Sequence, residues 1–211
     1  MRPPSVADLP PRVDTNAPRP GGAVDRTIRP RPGPVHYRCE RMFVLGIDPG
    51  VSRCGYGCVE GGPGATPRVV SVGVLTTPPS DPLPGRLAAL DHDLRALVAE
   101  FKPSVVAVER VFFQVNARTA MSVGQASGLA LVAASQAGCE VVQYTPNEVK
   151  QAVAGYGSAP KEQVQRMVQT LLGLAELPSP PDAADALALA LCHLAMAPLR
   201  ARVGATRGRA R

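Results

Sequence analysis

Two short apolar runs in this 211-residue chain each end in a carboxylate, and they set the fold class. Met42-Phe43-Val44-Leu45-Gly46-Ile47 leads into Asp48, and Val105-Val106-Ala107-Val108 leads into Glu109. Neither run alternates apolar with polar residues. Both runs read as strands, and the second, with three β-branched residues in four, reads as an interior strand covered on both faces. Such strands need helices above and below a sheet, which is α/β architecture. Strands are expected at 42–48, 54–60, 68–76, 104–109 and 140–144. Helices are expected at about 84–101, 116–137 and 160–173, and from Pro181 to Met196. Leu87, Leu90, Leu94, Leu97 and Val98 give the first helix its spacing. Thr145-Pro146-Asn147-Glu148 has the form of a helix start, with Thr145 as N-cap, Pro146 at the first position and Glu148 closing a capping box. Ser158 and Ser179 are expected to cap the two later helices. Gly46 is small where close packing is needed, and Gly124, Ala126, Ser127, Gly128 and Ala130 would let another element approach the long helix. Three hairpin-like strands, then two strands separated by helices, predict a mixed five-stranded sheet flanked by helices.

The formal charge of +6 is uneven along the chain. Residues 1–41 hold eight arginines, four acids and nine prolines. Residues 199–211 hold five arginines and no acid. The body, 42–198, carries ten basic and thirteen acidic residues, so it is mildly negative. The high isoelectric point therefore describes the ends. They read as a disordered Pro/Arg-rich extension and a basic disordered tail, suited to solubility or to weak binding of a polyanion. No run of eighteen apolar residues occurs, and no membrane span is expected. The five cysteines are scattered, without a CxxC pair or a histidine cluster, as in a cytosolic protein with reduced thiols.

Two further acids, Asp182 and Asp185, lie three apart at the start of the last helix and share a face there. Each of the four acids also has a plain structural role open to it. Asp48 precedes Pro49-Gly50 and can cap its own turn. Glu109 can pair with Arg110. Asp182 sits in a first helical turn, where negative charge is favoured, at the fourth position of a capping box begun by Ser179. Asp185 is harder to place, because the helix beyond it is almost wholly apolar. Together the four have the make-up of an oxygen-only site for Mg²⁺ or Mn²⁺. Two such ions can activate a water and stabilise the leaving oxygen of a phosphodiester.

Other residues surround this constellation. Phe112 and Phe113 follow Glu109 closely in a chain with only eight aromatics. One can be core while the other stacks on an unpaired base. Lys150 and Lys161 are two of the three lysines. They can be solvated surface residues, or can hold phosphate beside the acids. His193 is three helical turns past Asp182 and is expected to stand apart from the acids.

Phe43-Val-Leu-Gly-Ile-Asp-Pro-Gly50 with Gly55-Tyr-Gly57 resembles the opening of the RuvC family of bacterial Holliday-junction resolvases. The resemblance continues through Val106-Ala-Val-Glu-Arg-Val-Phe-Phe113, Asn116-Ala117, Gly124-Gln125-Ala126, Thr145-Pro-Asn-Glu-Val-Lys150, Gly157-Ser-Ala-Pro-Lys161 and Asp182-Ala-Ala-Asp-Ala-Leu-Ala-Leu-Ala190. It spans about 42–197. It implies an RNase H-like fold, a homodimer, and resolution of four-way junction DNA by paired nicks with two Mg²⁺ per subunit, Mn²⁺ substituting. By the same resemblance Asp48, Glu109, Asp182 and Asp185 are catalytic metal ligands. Phe112, with Phe113, would act at the opened junction centre, and Lys150 and Lys161 on DNA. The implied partner is the RuvA–RuvB branch-migration complex. Two other readings of the residues are an actin-fold ATPase, from the Asp48 turn with Gly55 and Gly57, and a non-catalytic junction-binding protein. The first would need a second phosphate loop, an adenosine pocket and a longer body, and the second has no use for four acids.

Overall fold

The computed structural model describes residues 41–62, 64–110 and 117–208, without the side chains of 117–119 and 201–208. Five strands form one mixed sheet: β1 Met42–Asp48, β2 Arg53–Gly62, β3 Ala65–Thr76, β4 Val105–Glu109 and β5 Glu140–Tyr144. Their order is β3-β2-β1-β4-β5. β1, β2 and β3 pair antiparallel, while β1–β4 and β4–β5 are parallel. The helices are α1 Leu83–Phe101, α2 Ala117–Gln136, α3 Pro146–Ala154, α4 Lys161–Leu172 and α5 Pro181–Gly208. The expected sheet is thus present, with every strand within a few residues of its predicted place.

Side-chain parity explains the layering. Leu45, Ile47, Val106 and Val108 point to one face and join Leu90, Leu94, Ala126, Ala130, Ala133 and Ala134 of α1 and α2. Met42, Val44, Val105 and Ala107 point to the other face. They join Val149, Val153, Val164, Val168 and the leucines of α5. A strand enclosed on both sides can be apolar at every position, which is why β1 and β4 carry continuous runs.

On the second face α5 lies directly on β1 and β2. A Cβ built on Gly46 would stand 2.0 Å from the Ala186 carbonyl oxygen, and one on Gly55 would stand 2.1 Å from that of Asp182. Gly57 and Gly61 meet Leu187 and Leu194 in the same row. The spacing fits: six strand residues from Gly55 to Gly61 span about 20 Å. Twelve helical residues from Asp182 to Leu194 span about 18 Å. Pro181–Arg200 is long and apolar enough to cross a membrane, yet most of it is buried inside this protein. Its apolarity is that of a helix enclosed by a sheet and by α3 and α4.

Four expectations change. Glycines 124 and 128 face open space within 4 Å. The face that α2 buries carries Ala126, Ala130, Ala133 and Ala134, so the tight approach belongs to the β-strand glycines. Ser158 does not cap α4, because Pro160 occupies the N-cap position and no side-chain cap bond forms. Ser179 likewise lies outside the cap of α5, which begins at Pro181. A serine oxygen reaches the first amides only from the N-cap position itself. Finally, α5 continues past Met196 and through Pro198 to Gly208. The basic segment expected outside the domain therefore begins as helix, as suits its Ala, Leu and Arg content.

Gly46→Ala should destabilise the fold severely, because the intruded atom is backbone and cannot rotate away. Gly85→Ala, whose Cβ meets nothing within 4 Å, should be neutral or stabilising. Thermal melts of both variants followed by circular dichroism check this. A Gly46→Ala protein that melts like wild type would contradict the close approach.

Candidate active site

The sheet delivers the first two acids. β1 and β4 are parallel with Ile47 beside Val108, so Asp48 and Glu109 leave the sheet side by side. Both are in phase with residues that face α5: Asp48 with Val44 and Gly46, Glu109 with Val105 and Ala107. α5 supplies Asp185 from its first turns, one residue before the Ala186 that rests on Gly46. Asp48, Glu109 and Asp185 therefore line one cleft of about 240 Å³ with Lys150 and Lys161. Its apolar walls are Pro146, Val149, Val164, Ala188 and Leu189.

Local structure places the lysines. The capping box of α3 is complete: Glu148 N–H donates to Thr145 Oγ1 at 3.1 Å, and Thr145 N–H donates to Glu148 Oε2 at 2.7 Å. It fixes the turn of helix that carries Val149 and Lys150 into the cleft. Lys161 opens α4 and its Nζ donates to Asp185 Oδ2 at 2.6 Å.

Asp182 is held differently. It is absent from the cleft lining, and Arg53 donates to its Oδ2 through Nε and Nη2, both at 2.8 Å. This bond replaces the expected capping box with Ser179. Glu109 has no ion pair with Arg110 among the described residues. Phe112 and Phe113 lie outside the described residues. His193 stands apart from the acids as expected. It is buried in the core, its Nδ1 is 2.9 Å from Tyr144 Oη, and burial pushes its pKa down to about 4.

The carboxylates repel one another. Burial, then the charges of Glu109, Asp185 and Asp182, push Asp48 up to about 7, with Lys161 opposing. Burial and then Asp185 raise Glu109 as well. Two such neighbours titrate as a pair and hold a proton between them near neutrality. Lys161 is raised, mainly by its hydrogen bond to Asp185. The cleft thus has oxygen donors whose mutual repulsion is eased by a shared proton, a role that a hard divalent cation could take. Among the described residues no three acidic, histidine or cysteine side chains stand close enough to share an ion as placed. Asp182 and Asp185 are held by Arg53 and Lys161 instead. The fit is in donor type and charge, not in a closed coordination shell.

A family model described as crossover junction endodeoxyribonuclease RuvC matches residues 44–193. The chain belongs to the RuvC family. A RuvC crossover junction endodeoxyribonuclease of Salinispora arenicola is 55% identical over 170 residues, covering 81% of this chain and 97% of that protein. One from Moorella thermoacetica is 52% identical over 168 residues, covering 80% of this chain and all of that protein. Among solved structures, RuvC of Thermus thermophilus is 42% identical with a TM-score of 0.70, covering 76% of this chain and 98% of its own. The same protein in complex with a Holliday junction substrate matches at 41% identity and a TM-score of 0.72, covering 76% of this chain and 97% of its own. A yeast mitochondrial Holliday junction resolvase, 16% identical with a TM-score of 0.54, shares the fold. The expected RNase H-like resolvase fold and nuclease class are thereby established, and the ATPase and non-catalytic readings fall away. As a RuvC protein the chain is an endodeoxyribonuclease, a metal-dependent hydrolase.

Sequence reasoning missed Arg53. Its position five residues after Asp48 was visible, but its partner is 129 residues away. It also missed the brace behind that turn. Thr77 Oγ1 donates to the Val51 carbonyl at 2.6 Å, Thr77 N–H donates to the Ser52 carbonyl at 3.2 Å, and Arg86 reaches both Thr77 and Ser52 side chains.

The raised Asp48 gives a signed prediction. An unfolded aspartate titrates near 3.8, so the folded metal-free protein holds an extra proton between about pH 4 and 7. The stability this contributes is complete below the lower value and is lost as pH rises through the higher one. In EDTA the melting temperature should therefore fall between pH 5 and about pH 8. Asp48→Asn should flatten that slope and melt above wild type at the alkaline end. An Asp48→Asn protein that keeps the wild-type slope would contradict the assignment.

Proposed function

We propose that this protein resolves four-way (Holliday) junction DNA by paired symmetric nicks, in recombination and repair. The observation that carries the reading is the convergence of Asp48, Glu109 and Asp185 with two lysines in one cleft. Asp48, Glu109, Asp182 and Asp185 are the residues assigned to hold two Mg²⁺ per subunit, with Mn²⁺ as a substitute. When bound, these ions supply an activated water and stabilise the departing 3′-oxygen of the phosphodiester. Lys161, released from Asp185, and Lys150 hold phosphates next to the scissile one. The apolar walls limit how much water reaches the reacting group. Phe112, three residues past Glu109, with Phe113, is assigned to stack on a base exposed at the crossover, an interaction of roughly 1–3 kcal/mol. The nuclease is assigned to 42–198, with 1–41 and 199–211 as extensions to it.

Symmetric nicking needs two sites facing two like strands, which a C2 homodimer provides. The outward stripe of α2 supports one. Met121 and Val132 are 65% and 46% exposed, with Gly124 and Gly128 open between them at helical spacing. A second copy seated there would cover this apolar stripe. The RuvA–RuvB branch-migration complex is the proposed partner, and the cytoplasm is the proposed location, as suits an enzyme acting on DNA.

The test is incubation with a synthetic mobile four-way junction and Mg²⁺, with nicks mapped on all four strands. Symmetric nicks with 5′-phosphate and 3′-hydroxyl ends are expected. Asp48→Asn, Glu109→Gln and Asp185→Asn should each lower cleavage by at least a hundredfold, about 2.7 kcal/mol of barrier, with junction binding retained. Cleavage at the wild-type rate by any of the three would remove that residue from the site.

A further inference from the structure

Arg53 stands beside the catalytic cleft without belonging to the acids or lysines assigned above. It reaches Asp182 because β2 can press against the first turn of α5: a side chain at Gly55 would collide with the Asp182 backbone. Both guanidinium donors fall on one oxygen, Asp182 Oδ2, at 2.8 Å. Asp182 Oδ1 accepts no hydrogen bond among the described residues. The turn that carries Arg53 is itself fixed. Thr77, buried in the protein, bonds to the Val51 and Ser52 backbone, and Arg86 clamps Thr77 to Ser52. A long flexible side chain gains directing power when the backbone beneath it cannot move.

We propose that Arg53 is a positioning residue for the metal centre: it holds Asp182 through Oδ2 and leaves Oδ1 for the cation. The inference rests on the assignment of Asp182 as a ligand. Carboxylate ligands are commonly oriented by a hydrogen-bond donor on the oxygen that does not bind metal, and loss of such a donor costs roughly 10- to 100-fold in metal affinity or activity. Arg suits this role better than Lys, because its two donors come from a rigid fork and fix direction as well as distance.

The experiment is titration of the full-length protein with Mn²⁺, without DNA, following free Mn²⁺ by electron paramagnetic resonance. Arg53→Gln, Arg53→Lys and Asp182→Asn are compared with wild type, and melts in EDTA confirm folding. Arg53→Gln should weaken Mn²⁺ binding by about ten- to a hundredfold, with Arg53→Lys between it and wild type. Junction cleavage by Arg53→Gln should then recover as Mn²⁺ is raised, which a misfolded site would not do. Unchanged or tighter Mn²⁺ binding by Arg53→Gln, while Asp182→Asn weakens it, would overturn the proposal. If Asp182→Asn itself leaves Mn²⁺ binding unchanged, the ligand assignment fails first and the role of Arg53 falls with it.

Discussion

The distance between α5 and the sheet governs this structure. Gly46 on β1 and Gly55 on β2 let the helix backbone rest where side chains would ordinarily hold it off, and Gly57 and Gly61 make room for Leu187 and Leu194 in the same row. Ordinary packing of a helix on a sheet leaves room for a layer of side chains, about 10 Å between axes. Removing that layer brings the N-terminal turns of α5 to the ends of β1 and β4. Asp185 then meets Asp48 and Glu109 across a cleft rather than across a packed core. The same contact sets Asp182 against the start of β2, within reach of Arg53. Any residue larger than glycine at position 46 or 55 would push the helix away, and both halves of the site would part.

The acids so assembled do not favour the metal-free fold. Asp48 and Glu109 are partly buried and flanked by like charge, so both bind protons more tightly than free carboxylates. Lys161 and Arg53 each neutralise one acid of α5, and neither neutralises the pair at the strand ends. The site stores repulsion that a divalent cation would relieve. Functional clusters often oppose stability in this manner, with packing elsewhere offsetting the cost. Here the offset is the continuous apolar interior on both faces of the sheet.

Much of this was legible in the sequence. β1 and β4 could be read because interior strands of a covered sheet have no polar face to confuse the pattern. The α3 start could be read because a capping box is local, its partners three residues apart. Asp48 and Glu109 could be placed as strand-end acids from their runs, and the motifs quoted around them carry the family. What failed was whatever depends on partners distant in sequence. The Arg53–Asp182 bond spans 129 positions, and no local rule reports it. Gly124 and Gly128 were visible as small residues, but which face of α2 meets the sheet depends on where the alanines pack. Ser158 and Ser179 had the right chemistry for caps but stood one or two residues too early, and a proline occupies each N-cap place.

Packing of α5 on the glycine row would create one cation site from strand-end and helix acids. The most direct measurement is a crystal structure of the protein soaked in Mn²⁺, with anomalous difference density collected at the manganese edge. The account predicts density between Asp48 and Glu109 on one side and Asp185 on the other, with Lys161 displaced from Asp185. Manganese bound only elsewhere on the surface, with the Lys161–Asp185 pair intact at saturating metal, would contradict it.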